Sequence, residues 1–321
     1  MDTTGGASST TDLLITGGAG FIGSNLARLA LADDRIGRVV VLDDLSTGAR
    51  ENLAGLDVEF HEGSVADPAA LDRAVAGVDA VVHLAALASV PASIDDPLGC
   101  HEVNATGTLL LLEACRRHGV RQVVGASSSA VYGSNPAPLK GEREWVRPLS
   151  PYAVSKLATE QYLLTYQTCY DLSTVAFRFF NVYGPGQPAD HVYAAVIPLF
   201  VDALLHDRPL VVFGDGRQTR DFVFVGTVAE ILLDASLRRL SHPEPVNVAL
   251  NTETSLLELV EQLEAASGQS AEVDFREPRA GDVRHSRADD STLRSLFPQV
   301  VPVPLAEGLS ATVEWARGRL A

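Results

Sequence analysis

Short apolar runs alternate with longer amphipathic stretches over the first half of the chain. The runs are continuous rather than alternating with polar residues, which is typical of strands buried on both faces of a parallel sheet. They predict strands at 12–16, 38–43, 58–60, 80–85, 122–127 and 174–180. The segments between several of them predict helices, most clearly at 22–32, 69–76, 99–118 and 151–169. This pattern predicts an α/β fold built on a doubly wound parallel sheet with right-handed crossovers.

The rhythm of the chain changes after residue 180. The following stretch, "NVYGPGQPADHVYAAVIP", is rich in Gly, Pro and polar residues, as binding loops are. Beyond it the pattern predicts one further strand and four helices, at 210–213 and at 192–206, 227–238, 255–267 and 304–318. We therefore predict a disordered tail over 1–11, a large domain over 12–180 plus about 214–250, and a smaller C-terminal α/β substrate domain over 181–213 and 251–321.

Composition narrows the classes of partner and location. The 321 residues include 41 acidic and 25 basic side chains, a formal net charge of -16, which argues against a nucleic-acid or anionic-membrane partner. Cys100, Cys115 and Cys169 are widely spaced, so we expect neither disulfides nor a metal site, and a reducing environment. The opening "MDTTGGASSTT" lacks the features of a signal peptide, and no apolar run approaches the roughly 18 residues of a membrane span. We expect a soluble cytoplasmic protein.

The stretch "LLITGGAGFIG" at 13–23 places three glycines three residues apart, directly after the first predicted strand. Gly17 would allow a tight turn, Gly20 the close approach of a pyrophosphate, and Gly23 the packing of helix against strand. Phosphates would lie at a helix N-terminus, where free N–H groups and the helix dipole favour negative charge. The context favours a Rossmann-like dinucleotide site over a flexible glycine patch.

An acidic residue specifies the dinucleotide. Asp43 ends the second predicted strand, twenty residues after Gly23. A carboxylate in this position accepts hydrogen bonds from ribose hydroxyls and repels a 2′-phosphate. A lone acid here would otherwise be a surface-loop residue, but the spacing from the glycine turn favours NAD over NADP.

Two further stretches, "ASSSAVYG" at 126–133 and "SPYAVSK" at 150–156, carry candidate chemistry. Ser150 and Pro151 form a strong helix start, and Tyr152 and Lys156 lie one turn apart on the same face of that helix. An ammonium and a nicotinamide ring nearby would lower the tyrosine pKa, making Tyr152 a general base for a substrate hydroxyl. A serine from the first stretch can hydrogen-bond the same oxygen. The alternative is an ordinary helix surface, because Y-x-x-x-K also occurs by chance.

These motifs, in this order, resemble those of the extended short-chain dehydrogenase/reductase family, specifically its nucleotide-sugar epimerases and dehydratases. "TGGAGFIG", "SSSAVYG" and "SPYAVSK" carry the resemblance, and "FRFFNVYGPGQ", "YAAVIPLF", "GDGRQTRDFV" and "PRAGDVRHSRAD" extend it to the C-terminal region. It implies an NAD-dependent enzyme with Ser128 as the catalytic hydroxyl, Tyr152 as the base and Lys156 as its partner. It also implies a homodimer formed through the helices near 99–118 and 151–169.

The same resemblance implies two sets of binding residues. The cofactor set is Gly17, Gly20, Phe21, Ile22, Gly23, Asp43, Asp44, Ser64, Val65, Leu84, Ala85, Ala86, Tyr152 and Lys156, with Ser64 standing where an adenine-binding Asp is common. The substrate set is Ser128, Asn181, Val196, Arg220, Arg279, Asp282 and Ser286. In it, Asn181 contacts a diphosphate, the two arginines bind phosphate or ribose, and Asp282 binds the nucleoside ribose. A surface ion pair is the alternative for each arginine, more so for Arg279.

The sugar and the reaction follow from small differences within the group. A uracil base is typical of this branch, and Ser286 leaves room beside the sugar for a 2-acetamido group, so we expect UDP-N-acetylglucosamine. Ser129 and Ala130 replace the Asp-Glu pair of the 4,6-dehydratases, so 4,6-dehydration is not expected.

Two reactions remain, and both begin with oxidation at carbon 4 to a 4-ketone and end with hydride return to carbon 4. The overall length and character of the chain resemble the UDP-N-acetylglucosamine 5,6-dehydratases of tunicamycin-type antibiotic biosynthesis, and we expect that activity. The motif residues alone favour the alternative, a 4-epimerase of UDP-N-acetylglucosamine or UDP-glucose. A non-catalytic NAD-binding regulator is disfavoured because the chain keeps Tyr152 and Lys156.

Overall fold

The computed structural model describes residues 10–189, 195–278 and 284–319. Its strands are β1 (Thr11–Thr16), β2 (Ile36–Asp43), β3 (Glu59–Glu62), β4 (Ala80–His83), β5 (Gln122–Ser128), β6 (Ser173–Phe179), β7 (Asn181–Tyr183), β8 (Leu210–Phe213), β9 (Thr219–Arg220), β10 (Phe222–Phe224), β11 (Val246–Val248), β12 (Thr254–Ser255), β13 (Val273–Arg276) and β14 (His285–Ser286). Its helices are α1 (Phe21–Leu31), α2 (Pro68–Ala74), α3 (Val90–Asp95), α4 (Pro97–His101), α5 (Gly107–His118), α6 (Pro151–Tyr170), α7 (Val196–Leu205), α8 (Val225–Leu237), α9 (Leu256–Ser267), α10 (Ser291–Leu296) and α11 (Leu305–Gly318).

Seven of the strands form one parallel sheet in the order β11-β6-β5-β4-β1-β2-β3. The chain runs outward from β1 to β3 on one side, then returns to β4 and runs outward on the other side. This order confirms the predicted doubly wound α/β fold. The reversal lies between β1 and β4, and the carboxyl ends of these strands therefore border the crevice in which such sheets bind ligands.

Consecutive residues of β1 are buried on opposite faces of the sheet. Leu13 and Ile15 pack into a core with α1 and α8, whereas Leu14 packs into a second core with α2 and α5. All three side chains are fully buried. Helices on both faces explain why the strand shows a continuous apolar run rather than an alternating one.

A third core lies among the C-terminal elements. It is formed by apolar side chains of α7, β8, α9 and α11, such as Phe200, Leu210, Leu259 and Leu309. Short strands surround it: β7 pairs with β10, β8 pairs with β13, and β9 lies between β12 and β14. The division into two domains at the predicted boundaries stays a prediction.

The structure differs from the predicted elements in several places. The helix predicted at 99–118 is divided into α4, a π-helical turn at Glu102–Thr106 and α5. α4 begins at Pro97, two residues before the predicted start, because the Asp96 carboxylate accepts a hydrogen bond from Gly99 N at 2.9 Å and caps the helix. The two-residue strands β9, β12 and β14 were not predicted. Residues 1–9 of the predicted tail lie outside the described residues, and β1 already begins at Thr11.

Within the described ranges, none of the helices is both long and apolar enough to cross a bilayer. The same residues contain no group of three or more His, Cys, Asp or Glu side chains arranged to hold a metal ion. Cys100 and Cys115 are buried, Cys169 is exposed, and all three are free thiols.

Candidate active site

The glycine turn lies where β1 meets α1, and its glycines are required by close contacts. Gly17 has a φ of 70°, and a Cβ there would lie 2.7 Å from Ala85 N. A Cβ on Gly23 would lie 2.3 Å from Gly17 O, so α1 packs directly on the turn. At Gly20 the added atom would meet only Gly17 O, at 3.2 Å. The N-cap residue of α1 is Gly20, which has no side chain to accept from the first turn. Backbone N–H groups of that turn are therefore left for a ligand anion. This cradle fits a pyrophosphate.

Asp43 ends β2 beside this turn. Its buried carboxylate accepts hydrogen bonds from Ala19 N at 2.9 Å and Leu45 N at 2.8 Å. Burial raises the pKa of Asp43, and the two N–H groups oppose that rise. Each carboxylate oxygen retains a lone pair after these contacts, so the group can still accept from a ribose hydroxyl. Asp44 is exposed, and its carboxylate accepts from Ser46 N at 3.0 Å.

The remaining predicted cofactor residues also follow strands at the same edge of the sheet. Ser64 and Val65 come after β3; the Ser64 hydroxyl accepts from Ala66 N at 3.2 Å, and Val65 is buried in a core. Leu84, Ala85 and Ala86 come after β4, and Leu84 N donates to Thr16 O at 3.0 Å. Phe21 and Ile22 open α1. The structure thus brings the predicted cofactor residues to one edge, while their individual roles stay predictions.

The three candidate catalytic side chains converge at the end of β5. Ser150 caps α6 by accepting from Ala153 N at 3.1 Å, which sets Tyr152 and Lys156 in its first two turns. Ser128 is the last residue of β5, and the Tyr152 phenol that it faces is half-buried. Burial raises the pKa of Tyr152, and the Ser128 hydroxyl lowers it. The pair therefore has the arrangement of a base and a group that stabilises its charged form.

Lys156 is the buried cation of this site. Its Nζ donates to Ala126 O, the carbonyl two residues before Ser128, at 2.8 Å. Burial lowers the pKa of Lys156 from 10.5 to about 8. An ammonium has three N–H donors, so two remain for a ligand hydroxyl or for Tyr152 after this bond is made.

No sequence motif indicated Asn104, whose side chain joins the cofactor edge to the catalytic helix. Its side chain accepts from Leu87 N at 2.8 Å and donates to Ser155 Oγ at 2.9 Å. Nearby, the Ser93 hydroxyl accepts from Tyr152 N at 3.1 Å and fixes the start of α6. Asn104 lies in the π-helical turn, a feature that a periodicity of 3.6 residues does not reveal.

A buried histidine was also missed. His83 ends β4 and contacts Thr16 Oγ1 at 2.7 Å through Nδ1 and Thr108 Oγ1 at 3.0 Å through Nε2. Burial, with a smaller contribution from Lys156, lowers the pKa of His83 to about 3, so the ring is neutral. It therefore connects β1 to α5 by hydrogen bonds beneath the site. The histidine could have been noticed in the sequence as the one polar residue inside the apolar run "AVVHLA".

Three predicted substrate residues are brought together by short strands. Ser286 in β14 pairs with Arg220 in β9, and Arg220 Nη1 donates to Thr219 O at 2.8 Å. Asn181 begins β7 and donates through Nδ2 to Asp221 O at 3.0 Å. Val196 begins α7. Arg279 and Asp282 lie outside the described residues.

The comparisons with known proteins agree with this geometry. Residues 13–249 match the model of the NAD dependent epimerase/dehydratase family. The chain belongs to that family. A UDP-glucose 4-epimerase of Mycolicibacterium smegmatis is 42% identical over 95% of this chain and 98% of that protein. A dTDP-glucose 4,6-dehydratase of Streptomyces niveus is 34% identical over 95% and 92%.

Solved structures of family members superpose closely. A UDP-N-acetylglucosamine 4-epimerase from Methanobrevibacter ruminantium, in complex with UDP-N-acetylmuramic acid, gives a TM-score of 0.90 at 36% identity, covering 97% of this chain and 99% of that one. A Thermus thermophilus UDP-glucose 4-epimerase in complex with NAD gives 0.85 at 38% identity, covering 96% and 99%. The protein is therefore an NAD-dependent enzyme of the extended short-chain dehydrogenase/reductase family, within its nucleotide-sugar epimerase/dehydratase group.

Proposed function

We propose that this family member is a UDP-sugar 4-epimerase. The observation that carries the proposal is the convergence of Ser128, Tyr152 and Lys156 at the end of β5, on the edge of the sheet that holds the glycine turn. Bound NAD supplies a hydride acceptor and then a hydride donor, so it leaves each turnover unchanged. The glycine turn would hold its pyrophosphate and Asp43 its ribose.

The side chains of this protein supply the proton chemistry at carbon 4. Tyr152 takes the proton of the 4-hydroxyl as a transient 4-keto sugar forms, and gives a proton back when carbon 4 is reduced on the other face. The Ser128 hydroxyl donates to the phenolate or to the sugar oxygen. Protonated Lys156 favours the phenolate because an opposite charge nearby lowers the tyrosine pKa.

The relatives support epimerisation over the 5,6-dehydration that we expected from the overall character of the chain, because the 4-epimerases named above match 95% or more of it. The site itself adds a reason against 4,6-dehydration. Ser129 and Ala130 open the short 3-10 turn Ser129–Tyr132 and carry no acid or base for carbons 5 and 6. Dehydration across carbons 5 and 6 shares the first oxidation step and becomes the competing outcome of the test.

UDP-N-acetylglucosamine is the substrate we propose. A similar structure is that of a UDP-N-acetylglucosamine 4-epimerase, and Ser286, paired with Arg220, is a small side chain. The assignments of Asn181 to the diphosphate, of Arg220 and Arg279 to phosphate or ribose, and of Asp282 to the nucleoside ribose stay predictions. The cytoplasmic location expected from unpaired thiols also stays a prediction.

We also propose a homodimer formed through α5 and α6. Several large apolar side chains on α6 and the adjoining short helices are exposed, namely Ile94, Leu98 and Val154. α3 and α4 both contact α6, so these residues extend the face that α6 presents. Contact with a second copy would remove this apolar surface from water.

Proton NMR of the product from UDP-N-acetylglucosamine tests the reaction. A galacto-type coupling pattern is the expected result, exocyclic vinyl signals would show 5,6-dehydration instead, and an unchanged substrate would count against both. Tyr152→Phe should abolish turnover but leave NAD binding, measured by calorimetry, intact. Tyr170→Phe changes an exposed tyrosine at the far end of α6 and should leave turnover intact.

A further inference from the structure

A buried ion pair lies behind the catalytic strand and takes no part in the proton transfer described above. Arg178 in β6 donates to Glu160 in α6 through Nε at 2.8 Å and Nη2 at 2.7 Å. The Glu160 side chain is fully buried and that of Arg178 is 4% exposed. A bidentate contact of this kind fixes the orientation of both side chains as well as their separation.

Glu160 extends a series of contacts between α6 and the end of β5. Tyr152, Lys156 and Glu160 are spaced by one helical turn each. The first contacts the Ser128 hydroxyl, and the second contacts Ala126 O. Glu160 Oε2 accepts from the hydroxyl of the intervening residue, Ser127, at 3.0 Å. Two of three consecutive strand residues, Ala126 and Ser127, are therefore hydrogen-bonded to successive turns of the catalytic helix, and the third, Ser128, faces the first of these turns.

Arg178 ties the segment after the catalytic serine to the same pair. Its guanidinium lies 4.7 Å from the centre of the Tyr132 ring, which follows Ser128 by four residues. Its Nη1 donates to Glu142 O at 3.1 Å. The Tyr132 hydroxyl donates to Asn247 Oδ1 at 2.7 Å, so this segment is also joined to β11. The ion pair thus holds the strand end from both sides of Ser128.

Stability alone is a poor reason for such a pair. Desolvating two charges offsets most of their attraction, and apolar residues of similar volume often replace a buried pair without loss of stability. Apolar residues would not reproduce the hydrogen bond between Ser127 and Glu160, nor the fixed position of the Arg178 guanidinium over the Tyr132 ring. These bonds act on the two elements that carry the catalytic groups.

We propose that Glu160 and Arg178 are positioning residues that act through Ser127 to hold the Ser128 hydroxyl against the Tyr152 phenol. The inference rests on the proposed role of Tyr152 as the base. Without the Ser127 bond the strand end loses one of its links to α6 and can shift relative to that helix, and a misplacement of about 1 Å can cost on the order of a hundredfold in rate.

Ser127→Ala tests the link with the least disturbance, because it removes one hydroxyl and leaves the ion pair in place. We expect kcat to fall about tenfold while KM for the UDP-sugar and NAD affinity change by less than about twofold. The pKa of the Tyr152 phenol, measured by NMR in protein labelled at the tyrosine ring and assigned with Tyr152→Phe, should rise. Wild-type kcat together with an unchanged Tyr152 pKa would overturn the proposal.

A double-mutant cycle shows whether the effect passes through Ser128. In a Ser128→Ala background, Ser127→Ala should change kcat by less than about twofold; an undiminished tenfold effect would overturn the proposal. Glu160→Met combined with Arg178→Met should reproduce the kcat loss in folded protein, and wild-type kcat in that folded variant would also overturn it.

The matched control is Thr174→Val. It removes the bond from Thr174 Oγ1 to Leu163 O at 2.8 Å, which joins β6, the strand of Arg178, to α6 farther from the site, and it should leave kcat and the Tyr152 pKa unchanged. A Tyr152 pKa shift in Thr174→Val equal to that in Ser127→Ala would indicate a merely structural effect and overturn the proposal. If the wild type converts no UDP-sugar, the proposed function fails, whereas the NMR titration still decides the positioning role.

Discussion

The buried amine of Lys156 should make the stability of this protein depend on pH in an unusual direction. An unfolded lysine keeps its ordinary pKa of 10.5, whereas burial lowers the pKa of Lys156 to about 8 in the folded chain. Between these pH values the unfolded chain binds more protons than the folded chain. The free energy of unfolding contributed by this site therefore rises with pH across that window and is lost below about pH 8.

The magnitude follows from the gap between the two pKa values. That gap corresponds to about 3.4 kcal/mol, of which about 2.5 kcal/mol has accrued by pH 10. Lys156→Met removes the titrating amine and keeps much of the volume. It also removes the donor to Ala126 O, but the cost of that lost hydrogen bond does not vary with pH. The free energy of unfolding of the wild type minus that of the variant should therefore rise by about 2.5 kcal/mol between pH 7 and pH 10.

Urea unfolding of the NAD-free protein at several pH values measures this difference. Both proteins should carry Tyr152→Phe, so that the phenol beside Lys156 does not titrate in the same window. A difference that stays constant from pH 7 to pH 10 would refute the reasoning. The same result would follow if Lys156 were solvated in the folded state.

The amine can also be observed directly. Lys140 and Lys156 are the two lysines of the chain, so lysine-labelled protein gives two side-chain signals in an NMR titration. The signal missing from Lys156→Met should titrate near pH 8. A midpoint close to 10.5 would show that the amine is not desolvated.

Two further predictions concern the cofactor turn and the assembly. Gly23→Ala should weaken NAD binding at least about tenfold in calorimetry, because the new Cβ would lie 2.3 Å from Gly17 O; Gly318→Ala, with open space around its Cβ, is the control. Light scattering should give twice the chain mass of 34.1 kDa for the wild type and the chain mass for Leu98→Asp. Val301→Asp alters a similarly exposed side chain, 78% against 81%, and should remain dimeric. A Gly23→Ala variant that binds NAD as tightly as the wild type would contradict the first expectation. A wild type with the mass of a single chain would contradict the second.

The sheet and its cofactor edge could be predicted because their signals are local. Leu13, Leu14 and Ile15 are consecutive and all buried, so a continuous apolar run marks a central parallel strand. The glycines of the turn reflect contacts made within a few residues of one another, such as Gly23 with Gly17. Asp43 could be placed because β2 is adjacent to β1 and ends at the same edge.

The features that were missed depend on contacts between distant parts of the chain. Asn104 acts from a π-helical turn, and its partner Ser155 lies 51 residues away. The hydrophobic pattern reports which residues are buried but not which buried polar groups become partners. Glu160 and Arg178 illustrate the point, because each alone resembles a surface charge and only the fold brings them together.

The two halves of the site therefore differ in how strongly the fold determines them. In a parallel sheet every strand ends at the same edge, so residues after β1, β2, β4 and β5 meet there whatever the loops do. The proposed sugar side has no such constraint, because Arg220 and Ser286 meet through strands of two residues each. Few backbone hydrogen bonds fix that pairing, so substitutions there can alter the sugar accepted without disturbing the sheet. On the proposed assignments, the sheet thus determines where the cofactor lies, whereas the choice of sugar and reaction depends on these short strands and on the buried groups proposed to position Ser128.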